Sequence, residues 1–257
     1  MFAPPPVVWL GRTALAFGQA AAEVLGLLFG AVVLVPWLVG RRGGAVFRQV
    51  LLEQIVFTGA HALPMMGVGA LALGTLIVTQ VTAYVPADYA PRVCATLLAR
   101  EVVPLATAMV LVGRSATAIS VELASMTIAG EVAGLRAVGI AVEHVIVLPR
   151  LIASVVAALA LSLYGLVVGL VLGFALGRLL VPIPFGLGVV LDALDLRDVR
   201  LALVKVALFG AGVALVAVRE GLAVRAARVE LPRAATRAAV RGVVLCLVLN
   251  SALSLAS

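Results

Sequence analysis

Between Gln54 and Ala87 the chain contains no Asp, Glu, Lys or Arg. As one straight α-helix rising about 1.5 Å per residue this stretch reaches roughly 50 Å, well beyond the roughly 30 Å hydrocarbon core of a bilayer. A helix so apolar belongs in lipid, and one so long must tilt, break or leave the membrane. Gly59, Pro64, Gly67, Gly69 and Gly74 supply the means to break it. Its far end, Gln80 to Tyr84, is polar for a span. Gln80 there either is hydrated as an ordinary helix end or faces a lipid pathway. Residues 85–92, VPADYAPR, read as a short external loop with a tyrosine at the interface.

The rest of the chain repeats this character. Hydrophobic residues make up 64% of it and mean hydropathy is +1.23, more apolar surface than a soluble domain of this length can bury. The expected architecture is all-α: a polytopic membrane bundle of about five transmembrane helices over residues 48–257, preceded by an N-terminal region, residues 1–47. After the first run, spans are expected at about Val93–Thr117, Leu151–Gly177, Leu201–Val218 and Gly242–Ala256. Within the third, Gly165, Gly169, Gly173 and Gly177 recur every four residues. Glycines so spaced make a flat ridge on one helix face against which another helix can pack closely in lipid. Residues 180–200 combine Pro182, Pro184 and Gly186 with three aspartates, which suggests an external loop with a short interfacial helix.

Arg219 to Arg241 holds six arginines against two glutamates, a net +4. Together with Arg41, Arg42 and Arg48 it marks the cytoplasmic side by the positive-inside rule, and five alternating spans then leave the C-terminus outside. The chain's net charge of +7 lies mostly in arginines beside apolar spans, a pattern that fits an anionic membrane face and not nucleic acid. Cys94 and Cys246 both fall in apolar spans and suggest neither a disulfide framework nor a metal site. The N-terminus lacks the features of a cleaved secretory signal, so no processing is expected. The uncharged run Val24 to Gly40 is long enough for a short span or for a helix lying on the interface.

Polar chemistry concentrates between Arg100 and Arg150. Arg100 and Glu101 sit inside an apolar run, and charges placed there are costly in hydrocarbon and mark a site by default. Neighbours on a helix point about 100° apart, so the two need not pair. Each can find a partner on another helix to steady the bundle, or both can bind the polar head of an amphiphile, and the two roles are compatible. Arg114 and Glu122 flank the way out of the span. After them a small amphipathic helix is expected at about 127–138: Thr127 can cap it, Glu131 suits its positive end, Ile128, Val132 and Leu135 share a face, and Gly139 is a natural stop.

These residues resemble the MlaE/YrbE permeases, membrane subunits of ABC transporters that move lipids through Gram-negative or mycobacterial envelopes. The matching residues are Arg100, Glu101 and Pro104; Gly113 and Arg114; Glu122, Leu123 and Met126; Glu131, Leu135 and Gly139; and Pro149 with Arg150, in the family's order and spacing over about fifty residues. Val103 stands where the family has glycine, and Ala234, Ala235 and Thr236 are what is kept of its later glycine-rich run. The resemblance implies a bacterial inner-membrane, multi-pass protein with an N-terminal interfacial helix and a cytoplasmic coupling helix. It implies a lipid pathway at Gln80, Arg100, Glu101 and Val102, and ATPase coupling through Glu122, Met126, Glu131 and Leu135. The implied partners are an ABC ATPase binding ATP and Mg, a periplasmic MCE-domain lipid carrier, a second permease copy, the membrane lipid itself, and a STAS-domain protein as an optional regulator.

Enzymatic chemistry is not expected within the chain. The single lysine, Lys205, lies in an apolar helix and does not follow a glycine-rich turn, so no P-loop is present. No HExxH or GxSxG occurs, and no cofactor, metal or catalytic residue is assigned. His61 is expected as a hydrogen-bonded core residue and His144 as interfacial. The alternative function is an ATP-independent secondary transporter or channel that relays ions through Arg100 and Glu101, against which stand the few ionisable residues within spans and the lack of evident inverted repeats.

Overall fold

A charge-free run too long for one crossing has to break. The computed structural model, which describes residues 44–139, 142, 146–224 and 230–255, places the break at Gly59. The helix Gly44–Thr58 ends there, a 3-10 turn Ala60–Ala62 follows, and helix Leu63–Tyr84 continues. Pro64 stands in the first turn of that last helix, where its missing N–H leaves no bond unmade. A β-carbon at Gly59 would lie 2.9 Å from the Ile55 carbonyl oxygen, so the turn itself requires the glycine, and the third span packs beside it at Ala157.

Among the described residues, five helices are long and apolar enough to cross a membrane: Leu51–Tyr84, Ala90–Ile128, Leu148–Leu180, Leu196–Leu222 and Glu230–Leu255. All regular structure among the described residues is helical, and the chain is a multi-pass membrane bundle. The spans run longer than the sequence suggests. The second continues past Thr117 to Ile128, and the fifth begins at Glu230, taking Arg233, Arg237 and Arg241 into a helix that hydropathy alone starts at Gly242. The short helix also moves, from about 127–138 to Glu131–Ala137. Thr127 does not cap it. Its hydroxyl donates back to the Leu123 carbonyl at 2.8 Å inside the second span, and Gly130, at φ 79°, makes the turn that separates the two helices. Gly139, also at φ 79°, ends the short helix, while Leu187–Asp192 forms a separate short helix in the loop before the fourth span. His61 is exposed, its ring edge-on to Phe57 at 6.3 Å between centroids, and is not the core histidine expected. The N-terminal interfacial helix and His144 lie outside the described residues.

The fourth span is the axis of the bundle because three of its glycines admit three neighbours. Gly210 lies against the backbone of Ser154 and Val155 in the third span, Gly221 against Ser120 in the second, and Gly212 against the Leu245 side chain of the fifth. Val206, Phe209, Val213 and Ala217 of the same helix are buried between them, joined by Leu111, Ile119 and Leu161 from the second and third spans. The first span packs on the third. Gly165, Gly169, Gly173 and Gly177 lie alongside Met66, Ala70, Gly74 and Val78, the two helices running parallel in a constant register. Gly74 and Gly173 meet backbone to backbone, where any β-carbon would collide, whereas Gly165 faces the flexible end of Met66. Several threonines inside the spans donate their hydroxyls to carbonyls of their own helices, as Thr75 does to Leu71 and Thr107 to Val103, so these add no unmet polarity to the lipid-embedded core.

Candidate functional site

Pro104 lies within the second span, and a proline there removes the backbone bond to the carbonyl four residues earlier, that of Arg100. The helix widens just before it. Leu97–Val102 is a π-helical turn, closed by the Val103 N–H bonding five residues back to Leu98. Such turns accommodate a proline ring and often sit at functional positions. The carbonyl of Arg100 then accepts from Lys205 Nζ of the fourth span at 3.2 Å. The proline, the widened turn and the chain's single lysine are thus parts of one arrangement.

Lys205 Nζ also donates to Glu101 Oε1 at 2.8 Å and to Ser254 Oγ at 2.8 Å. Ser254 and Asn250, both from the fifth span, lie 3.0 Å and 3.3 Å from the Glu101 carboxylate. Arg100 lies 3.8 Å from Glu101 and 3.9 Å from Asp198 at the start of the fourth span, and Thr96 donates to Asp198 at 3.4 Å. The cluster joins the second, fourth and fifth spans at the end of the bundle remote from the arginine-rich segment. Lys205 is the member taken out of contact with the surroundings, its side chain 2% exposed against 29% for Glu101. An ammonium so buried is tolerable because its three donors all find oxygens. The carboxylate stays partly open, and an open carboxylate flanked by a guanidinium is chemically equipped to meet a charged head group.

Of the other residues marked in the sequence, Val102 is half-buried against the neighbouring apolar cluster and Gln80 is exposed on the first span, outside the hydrogen-bonded group. At the arginine-rich end Glu122 pairs with Arg150 at 2.7 Å, and Arg150, 5% exposed, also donates to the Ile146 carbonyl. Met126 and Leu135 are half-buried against the main core, while Glu131 is exposed. The four residues assigned to coupling therefore do not form one outward face. The outward surface of the short helix is made by Ala133, Gly134 and Ala137 flanked by Glu131 and Arg136, with the exposed Val138 beyond its end. Sequence reasoning missed Asp198, Asn250 and Ser254 at one end. It also missed Glu220 at the other, which is 4% exposed by its side chain and held by Arg237 at 3.0 Å and by Arg241. One signal was available: a lone acid and a lone lysine in separate apolar helices each demand a partner, and both sit within a few turns of the same end of their spans. Among the described residues no group of His, Cys, Asp and Glu is arranged to hold a metal ion, and Cys94 and Cys246 are buried free thiols in different spans.

Among the described residues, five membrane-length helices, the second to fifth joined by ion pairs and a short exposed helix lying between the second and third, define a multi-pass membrane protein. The chain belongs to the permease MlaE family, whose model matches residues 51–256. It is similar to a probable ABC transporter permease protein of Rickettsia typhi, 26% identical over 212 residues that cover 79% of this chain and 81% of that protein.

Proposed function

We propose that this chain is the membrane subunit of an ABC transporter that moves a phospholipid or related hydrophobic lipid between the bacterial inner membrane and a periplasmic MCE-domain carrier. The observation that carries the reading is the Glu101–Lys205 cluster: an open carboxylate, with Arg100 beside it, braced by a buried lysine within a family of permeases. The arginine-rich end faces the cytoplasm, the Glu101 end faces outward, and the lipid path runs past Gln80, Arg100, Glu101 and Val102. A second permease copy, identical or paralogous, completes the path. A STAS-domain protein is an optional regulator.

Work comes from a separate ATPase that binds ATP and Mg. It rests on the outward face of Glu131–Ala137, and its nucleotide cycle drives transport by favouring one arrangement of the bundle over another. Glu122 acts in this scheme through Arg150, and Met126 and Leu135 fix the short helix to the core. The test is co-purification and lipid transfer with Val138→Asp and Arg136→Glu, which alter the exposed face and spare the core. Loss of the ATPase from the purified complex, with the permease itself monodisperse, is expected. Retention of the ATPase and of full transfer would sink the docking assignment.

A further inference from the structure

We propose that the cleft between the start of the first span and the arginine-rich end of the second binds the head group of a phospholipid carrying a primary ammonium, its acyl chain laid along the first span. The proposal rests on the lipid-transport reading and names the head-group class. The cleft has a volume of about 610 Å³, room for a head group and the beginning of a chain but not for a whole lipid. It lies at head-group depth. At about 1.5 Å per residue, His61 is roughly 35 Å from the Tyr84 end of its span, beyond the roughly 30 Å hydrocarbon core. One wall is apolar and exposed, made by Leu52, Val56 and Phe57 on successive turns.

The polar side of the cleft holds more acceptors than donors. Glu53 takes one hydrogen bond from Gln49, and Glu122 gives one oxygen to Arg150 while its side chain stays about half exposed. Gln54 Oε1 is buried and has no donor among the described residues. Two carboxylates with spare capacity call for a cation rich in N–H groups. A primary ammonium brings three. A trimethylammonium brings the charge and no donor, so it makes no hydrogen bond to either carboxylate. Arg114 supplies the complementary charge for a phosphate: its guanidinium lies 5.0 Å over the Phe57 ring and donates to the Phe57 carbonyl at 2.6 Å, at the edge of the same cleft.

The test uses the full-length protein alone in phosphatidylcholine nanodiscs doped with a photoactivatable phosphatidylethanolamine, with adducts mapped by mass spectrometry. Labelling is expected on residues 52–57, with unlabelled phosphatidylethanolamine competing about tenfold better than phosphatidylcholine, the scale of one charge-assisted hydrogen bond. Glu53→Gln combined with Gln54→Leu is expected to erase that preference, in protein that stays monodisperse because the Glu122–Arg150 pair is untouched. Equal competition by the two lipids overturns the proposal, as do chain-to-chain adducts at 52–57, which would show a second copy seated in the cleft. No ATPase is in the assay, so the preference is read independently of transport: absence of nucleotide-driven lipid transfer when the ATPase is reconstituted with the permease, alongside an intact ethanolamine preference, would refute the transport reading and leave this site standing.

Discussion

Two ion-pair clusters, one at each end of the bundle, use the same interaction with its exposure reversed. At the Glu101 end the buried partner is the cation: Lys205 is sealed among the second, fourth and fifth spans while the carboxylate remains partly open. At the other end Glu122–Arg150 repeats that arrangement, whereas in the cluster joining the fourth and fifth spans the buried partner is the anion: Glu220 is sealed while Arg237 and Arg241, 36% and 55% exposed, reach outward. Long arginine side chains can lie along apolar surface and keep their heads in water, so the second arrangement turns its charge toward the interface and stays inert inside. The first turns a carboxylate toward whatever approaches. One is a lock between two helices, the other a lock with an accessible face, and the accessible face is where a polar ligand can act.

This contrast predicts an order of effects. Replacing a residue whose partner is buried should cost most. Glu101→Ala leaves the Lys205 ammonium without its counter-charge and should lower stability by about 3–5 kcal/mol, read as a large drop in the thermal unfolding midpoint of detergent-solubilised protein. The pair Arg237→Ala with Arg241→Ala strips the sealed Glu220 of both cations and should cost a similar amount on the same measurement. Lys205→Met comes next, at about 1–2 kcal/mol, because the exposed part of Glu101 is solvated and Arg100 stands 3.8 Å away. Glu220→Gln should cost about 1 kcal/mol, since the arginines it releases are already partly in water and Arg237 keeps Glu230 at 3.5 Å. Arg241→Ala alone should cost under about 1 kcal/mol, Arg237 still covering Glu220, so that the double arginine variant exceeds the sum of the two singles. Equal losses from Glu101→Ala and Glu220→Gln would dissolve the contrast.

How much of this could be read beforehand differs from element to element. The four-residue glycine spacing announced a close helix contact, but the partner face of Met66, Ala70, Gly74 and Val78 follows from how the first span breaks at Gly59 and lies down on the third. The start of the short helix was misread because a threonine serves equally well as a cap or as a donor to its own preceding turn. Inside a span already helical the second use wins. The fifth span looked short because arginines oppose membrane insertion in any hydropathy window. Spaced four apart, Arg233, Arg237 and Arg241 instead form a stripe on one helix face, two of them reaching Glu220 of the fourth span.

By itself the sequence determined the solvent, the number of spans, their alternation and the two residues, Arg100 and Glu101, around which polar chemistry gathers. Those follow from local quantities: the cost of burying a charge in hydrocarbon, the length of a helix across a bilayer and the bias of arginine to one side. Tertiary structure alone decided that Glu101 answers to Lys205, that Pro104 frees the carbonyl Lys205 uses, and that Glu220 is sealed while Arg237 and Arg241 are not. The residues concerned lie on different helices, up to 105 positions apart. Which charges meet is set by the register in which glycine faces let those helices approach, and no local pattern carries that register.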